Sequence, residues 1–264
     1  MKYFKNDTAS FYYNETVFAS IKNICILIKD YPLVLEPFRG MNEKAQVMFS
    51  SESFQLYPTV SKTTLFYDSK TDCFFKILHP LTLKNSIFFF LIDRSRHIYS
   101  LSEYLRLKGI KVPVIEAYGK IGKEKKPFFV MKRVEGKSLY EILIRERKTL
   151  PLEIYLKVMD EVSKFHNLGY WFGDAHLSHI FVNDKEVSGF IDIDSIRKNK
   201  HFRAKNLAKD LAGLNYPELP VDKDDKMALF DYYMNKLNIE KKERFLRILK
   251  YYTERRWRTV SREK

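Results

Sequence analysis

The sequence predicts an α+β chain of two lobes, a β-rich first lobe followed by a helical second one. Three observations carry this. Thr63–Tyr67 and Cys73–Leu78 are rich in β-branched and aromatic residues and flank the polar turn Asp68–Asp72, the pattern of a hairpin. Ile154, Val158, Val162 and Phe165 recur at helical spacing and define a buried helix face. The change of character falls between Met131 and Gly136, which divides the chain into a lobe of residues 1–131 and a lobe of residues 132–264 with a cleft between them.

The elements follow in order. A helix is expected over Glu15–Lys29, then the hairpin, then a helix over Ile98–Lys108 that stops at Gly109, a residue suited to the left-handed position after a helix. Val112–Pro113 opens an extended segment and Pro127–Lys132 is a further strand. Ser138-Leu-Tyr-Glu141 has capping-box spacing and starts a helix. Pro151 opens the next helix, which ends near Gly169. Two short strands, Ile180–Val182 and Val187–Ile193, then flank a turn at 183–186, and helices follow to the end.

Composition narrows the function classes. Aromatics at 15% and apolar residues at 45% of 264 residues supply a core and exclude global disorder. The net charge of +14 favours anionic partners: phosphorylated substrates, anionic headgroups or nucleic acid. Half of that charge, +7, lies between Lys241 and Lys264, where ten Lys and Arg face three Glu. That stretch is either a solvated helix face or a binding surface. Cys25 and Cys73 lack metal or disulfide spacing and fit small buried side chains in a reducing compartment. The N-terminus has no apolar secretory core, and the longest apolar run, Ile87–Ile92, is far shorter than the ~20 residues of a membrane span. The expected location is the cytoplasm, with peripheral contact to the anionic inner face of the membrane through the basic C-terminus.

The chemistry concentrates between His166 and Arg197. A loop carries Asp174, His176 and His179, and the second short strand delivers Asp192 between Ile191 and Ile193. Two carboxylates and two imidazoles converging at one end of a hairpin suit phosphoryl transfer. One carboxylate orients the attacking hydroxyl and another holds Mg²⁺ on the phosphates. For a lone Asp or His, loop capping would be the better explanation; the combined spacing favours chemistry.

This segment resembles the catalytic and metal-binding loops of the protein-kinase-like fold, with Gly173-Asp174 where protein kinases carry Arg-Asp. It is most similar to the lipopolysaccharide core kinases, which phosphorylate Kdo (3-deoxy-D-manno-octulosonic acid) or heptose sugars. Shared features are His179 five residues after Asp174, the run Phe190-Ile-Asp-Ile-Asp194, and Asn206-Leu-Ala-Lys-Asp210-Leu-Ala-Gly-Leu214. The likeness is strong over Phe129–Leu214 and weaker before it. It implies an ATP- and Mg²⁺-dependent kinase acting on a sugar hydroxyl of a lipid-linked core oligosaccharide. Asp174 would be the base, His176 a donor to the transferred phosphoryl group, and Asp192 and His179 the metal residues. Asp210 would tie down the loop backbone.

In the first lobe the resemblance assigns Lys76 to the ATP phosphates. A charge inside the apolar strand Phe74-Phe-Lys-Ile-Leu78 is costly unless paired. Glu103 is the acidic candidate for its partner, although the family's glutamate would fall nearer Ile98; either the helix is shifted, Asp93 substitutes, or the ion pair is absent. Met131 would lie beside adenine, with the backbones of Lys132 and Val134 as its hydrogen-bond partners. Leu56–Thr64 has no glycine-rich phosphate motif, and Ser61, Lys62 and Thr63 stand in that place.

Two other readings remain open. One keeps the fold and changes the acceptor to a small molecule, a protein or an RNA-associated factor. Only about ten residues separate Asp194 from the Asn206 helix, too few for the long activation segment of a regulated protein kinase. The other is a non-catalytic basic module for nucleotides or nucleic acid, supported by Tyr251, Tyr252 and Trp257 among Lys and Arg. No specific nucleic-acid partner is expected on the leading reading.

Overall fold

The computed structural model describes the chain apart from residues 31–52, 58–61, 81, 83–88, 90–91, 184 and 259–264. Ser61, expected in the phosphate loop, and Ile87, Phe88, Phe90 and Leu91 of the apolar run lie outside the described residues. The chain divides into two compact units. One comprises Met1–Tyr104 and Pro113–Arg133; the other comprises Leu105–Val112 and Val134–Lys264.

The first unit is built on an antiparallel sheet. Its strands are β1 (Lys2–Lys5), β2 (Ala9–Tyr13), β3 (Phe54–Tyr57), β4 (Thr63–Asp68), β5 (Cys73–Leu78), β6 (Ile115–Ile121) and β7 (Lys126–Lys132), in the spatial order 1-2-6-7-5-4-3. The β4–β5 hairpin forms where alternating sequence predicts it, pairing Thr63 with Leu78 and Asp68 with Cys73. Asp68 closes the turn by accepting from the Lys70 amide at 3.0 Å and the Thr71 hydroxyl at 2.7 Å.

The period-two pleat sends Cys73, Phe75 and Ile77 to one face. There they meet Ile21, Ile24 and Ile28 of helix α1 (Phe18–Asp30), which a 3-10 turn at Glu15–Val17 precedes. Both cysteines are free and buried, and burial pushes each thiol up to about 11. Lys76 leaves the sheet on the other face. It lies in one cross-strand row with Phe129 and Tyr118, and Tyr118 stacks on Tyr99 of α2 (Arg94–Leu107) at 4.6 Å between centroids. Helix α2 starts four residues before the expected Ile98 because Asp93 caps it, accepting from the Arg96 amide at 3.1 Å. Gly109 follows it with φ +77°.

The second unit is mainly helical. Its short strands are β8 (Lys137–Ser138), β9 (Tyr170–Trp171), β10 (Ile180–Val182), β11 (Val187–Phe190) and β12 (Arg197–Lys198). Its helices are α3 (Leu152–Asn167), α4 (Ala204–Leu214), α5 (Lys223–Lys236) and α6 (Lys242–Trp257). Ser138 caps as its spacing predicts, accepting from the Glu141 amide at 3.2 Å, but the turn it starts is π-helical over Glu141–Arg145. Ile154, Val158, Val162 and Phe165 of α3 are all at most 5% exposed. Burying each such side chain contributes roughly 1.5–3 kcal/mol. The strand expected over Val187–Ile193 stops at Phe190, since Asp192 turns into the left-handed region at φ 66° and heads a 3-10 turn.

Candidate active site

The loop after α3 is fixed by polar groups buried beneath it. Asp210 of α4 is 1% exposed and accepts from the Phe172 amide at 2.6 Å and from His166 Nε2 at 3.1 Å. His166 is fully buried, and its Nδ1 takes the Tyr233 hydroxyl of α5 at 2.7 Å. This geometry assigns the imidazole hydrogen to Nε2, so both ring nitrogens and both carboxylate contacts are used. Burial drives the Tyr233 phenol well above its ordinary value, which keeps it a neutral donor.

A second tie joins this loop to the one carrying Asp192. The Ser195 hydroxyl lies 2.9 Å from the Phe172 carbonyl and 2.8 Å from the Asp192 carbonyl. β9 pairs with β12 on one side of this bridge, and the Ile191 amide donates to the His179 carbonyl at 2.9 Å on the other. Gly173 stands where protein kinases carry Arg, and the backbone explains the difference. Its φ is +80°, and a Cβ there would lie 2.5 Å from the Ser195 carbonyl oxygen. Gly213 is a similar case in α4, where a Cβ would meet the Ala175 carbonyl oxygen at 2.1 Å.

On this base the polar side chains are presented in defined states. The Asp174 side chain is 65% exposed. His179 Nδ1 lies 3.0 Å from the Asp174 carbonyl and donates its hydrogen to it. His176 is set the other way. Its Nδ1 accepts from the Ser178 amide at 3.2 Å, which puts the neutral ring's hydrogen on Nε2. Burial, then the positive fields of His179 and Arg256, hold its imidazole below the ordinary value against the opposing pull of Asp174. His176 is therefore a neutral donor near pH 7.

Two contributors come from the C-terminal helix. Arg256 Nη2 lies 2.9 Å from Asp174 Oδ1, and Trp257 Nε1 donates to the Ala212 carbonyl at 3.0 Å. Trp257 is 9% exposed and its ring stands 6.4 Å from that of His176. The basic stretch is thus partly a structural arm of the loop, while Tyr251 remains 55% exposed. The sequence carries one hint of this, an Arg-Trp pair at the end of the basic helix.

Among the described residues no group of three or more His, Cys, Asp and Glu side chains could hold a metal ion. Mg²⁺ takes only one or two protein ligands together with phosphate oxygens and water. Asp192 offers the carboxylate oxygen that Mg²⁺ prefers, whereas the imidazole of His179 is the less natural partner for this ion.

Of the remaining expected residues, Lys76, Glu103, Met131 and Lys132 lie in the sheet unit and Val134 begins a segment of the helical one. Lys76 is half-buried on the α2 face, Glu103 is half-buried on α2, and Met131 is 7% exposed in β7. Asp93 is engaged in capping α2. The Lys132 amide donates to the Val114 carbonyl at 2.9 Å, so that one of its backbone groups is already committed.

A β-sheet unit followed by a helical unit that carries Asp174 and Asp192 on bridged loops is the protein-kinase-like fold. The model of the lipopolysaccharide kinase (Kdo/WaaP) family matches residues 92–233, more than half of the sequence, and the chain belongs to that family. Over 70 residues it is 33% identical to a 3-deoxy-D-manno-octulosonic acid kinase of Vibrio parahaemolyticus. That stretch is 26% of this chain and spans only 29% of the relative. Among solved structures, the co-crystal structure of WbdD with a kinase inhibitor superposes with a TM-score of 0.50 at 14% identity, covering 76% of this chain and 46% of that one. A second WbdD structure, described as a bifunctional kinase-methyltransferase, gives 0.47 at 14% identity over 73% and 47% of the two chains.

Among the described residues no helix is long and apolar enough to cross a membrane.

Proposed function

We propose that this protein transfers the γ-phosphoryl group of ATP to a hydroxyl of Kdo, or of a neighbouring heptose, on the lipid-linked core of lipopolysaccharide. What supports the reading is a coincidence: the family match over residues 92–233 contains Asp174, His176, His179 and Asp192, and these stand on the segment that buried polar groups fix. A kinase family implies ATP as donor.

In this reading the exposed Asp174 carboxylate aligns the acceptor hydroxyl and takes its proton. Arg256 holds that carboxylate through one oxygen, leaving the other for the hydroxyl. His176 donates Nε2–H to the transferring group, where charge develops. Asp192 and His179 would hold Mg²⁺, which supplies positive charge between the phosphates. Lys76 with Glu103, Met131 and the backbones of Lys132 and Val134 are assigned to ATP, with Lys132 offering its carbonyl rather than its amide. The net charge of +14 suits an anionic acceptor at an anionic membrane surface.

The test is to incubate the protein with ATP, Mg²⁺ and Kdo-bearing lipid A and to follow the added phosphate by mass. Asp174→Asn should lower transfer by about 10²–10⁴-fold while ATP still binds. Absence of transfer by the wild type to both Kdo-bearing and heptosylated acceptors would sink the substrate assignment.

A further inference from the structure

The helical unit contains an apolar cavity of about 580 Å³. Val158 of α3, Leu211 of α4, Phe230 of α5 and Leu249 of α6 form its walls, and Leu177 and Ile180, on the catalytic segment itself, line it as well. Close-packed interiors leave few voids larger than a water molecule, whereas sites for small ligands run to roughly 300–1,000 Å³. This half-open apolar groove therefore has the dimensions of a binding site.

Its solvent end is charged. Half-buried Lys226 and exposed Lys250 line it, opposed by the exposed Glu254 carboxylate. A smaller cavity of about 470 Å³ shares Asn215, Lys226, Thr253 and Glu254 with the first, and adds Arg258 and the indole of Trp257. Across this shared mouth three cations face one carboxylate. Neither Lys226 nor Lys250 makes an ion pair among the described residues.

We propose that this cavity binds one acyl chain of an anionic membrane lipid, with the chain against Val158, Leu211 and Phe230 and the headgroup at Lys226 and Lys250. The apolar walls exclude a polar occupant, and the excess of positive charge at the mouth selects an anionic head over a neutral or cationic one. Since Leu177 and Ile180 line the cavity, a bound chain would buttress the segment that carries His176 and His179. The proposal stands on cavity and charge and does not depend on the kinase reading, so binding is measured without turnover.

The chain has two tryptophans, and Trp171→Phe leaves Trp257 as a reporter beside the mouth. A dibrominated palmitate, kept below its micelle concentration, should quench Trp257 saturably at one equivalent per chain. Lys226→Glu with Lys250→Glu, changes at the solvent end, should weaken that binding about tenfold or more. The same substitutions should strengthen binding of a brominated cationic amphiphile of equal chain length. Val158→Phe, which fills the cavity, should abolish quenching by both. The proposal is overturned if quenching does not saturate, if anionic and cationic chains bind the wild type equally, or if the charge reversals leave affinity unchanged.

Discussion

Each unit buries a histidine, and the two are treated differently. His166 in the helical unit is fully buried with both ring nitrogens hydrogen-bonded, to Asp210 and to Tyr233. His79 in the sheet unit is 4% exposed, with Nε2 held by the Thr64 hydroxyl at 2.7 Å and a buried Nδ1 that has no hydrogen-bond partner. Around His166, hydrogen-bonded polar groups hold a loop. Around His79, the sheet relies on apolar burial and cross-strand rows, and a polar atom is left unsatisfied. The contrast separates a scaffold that fixes the loop carrying Asp174 from one that holds a strand such as β5 with Lys76.

The largest effect should come from breaking the helical unit's network. Asp210→Ala leaves the His166 Nε2–H and the Phe172 amide without acceptors in a fully buried site. The expected cost is about 3–5 kcal/mol, read as a fall in the urea midpoint. Asp210→Asn keeps one acceptor oxygen and should cost less than half as much. A loss below about 1 kcal/mol for the alanine variant would show that the network is not what holds the loop.

A smaller effect is expected at the bridge between the loops. Gly173→Ala must adopt φ +80° and push its Cβ away from the Ser195 carbonyl oxygen, 2.5 Å distant before relaxation. The left-handed conformation costs about 1–2 kcal/mol, and a displacement of Asp174 near 1 Å would lower kcat/KM about 10²-fold. Phosphate transfer measured beside thermal stability separates the two losses. If transfer stays within twofold of wild type, Gly173 is not a positioning requirement.

Much of this organisation was legible in the sequence because it is local. The β4–β5 hairpin, the buried face of α3 and the Asp174 loop each lie within a window of about twenty residues or fewer. Asp210 was legible as the loop's anchor only through family resemblance. What escaped was long-range. The partners His166–Tyr233 and Asp174–Arg256 are 67 and 82 residues apart, and no periodicity connects them. For the same reason the contact of Arg256, at the end of α6, with Asp174 could not be read from the basic stretch Lys241–Lys264. The overlong strand at Ile191–Ile193 came from β-rich composition, which does not reveal that Asp192 takes a left-handed backbone. The Lys76–Glu103 pairing remains a proposal, since both residues lie on the same side of the sheet unit but on different elements.

The smallest effect expected belongs to the sheet unit and depends on pH. Burial, assisted by the nearby Lys126 ammonium, lowers His79 from 6.5 to about 4. The unfolded chain binds a proton near 6.5 and the folded chain does not, so stability falls as the pH drops from about 6.5 toward 4 and is independent of His79 above that window. By pH 5 the loss should be roughly 2 kcal/mol. His79→Gln, which keeps a hydrogen-bonding group for Thr64 without a titrating ring, should flatten this part of the profile relative to wild type. Urea midpoints of the two proteins at pH 7.5 and pH 5 give the difference directly. Parallel profiles would mean that the open Nδ1 of His79 finds a proton acceptor in solution, and that the sheet unit's histidine is as well satisfied as His166.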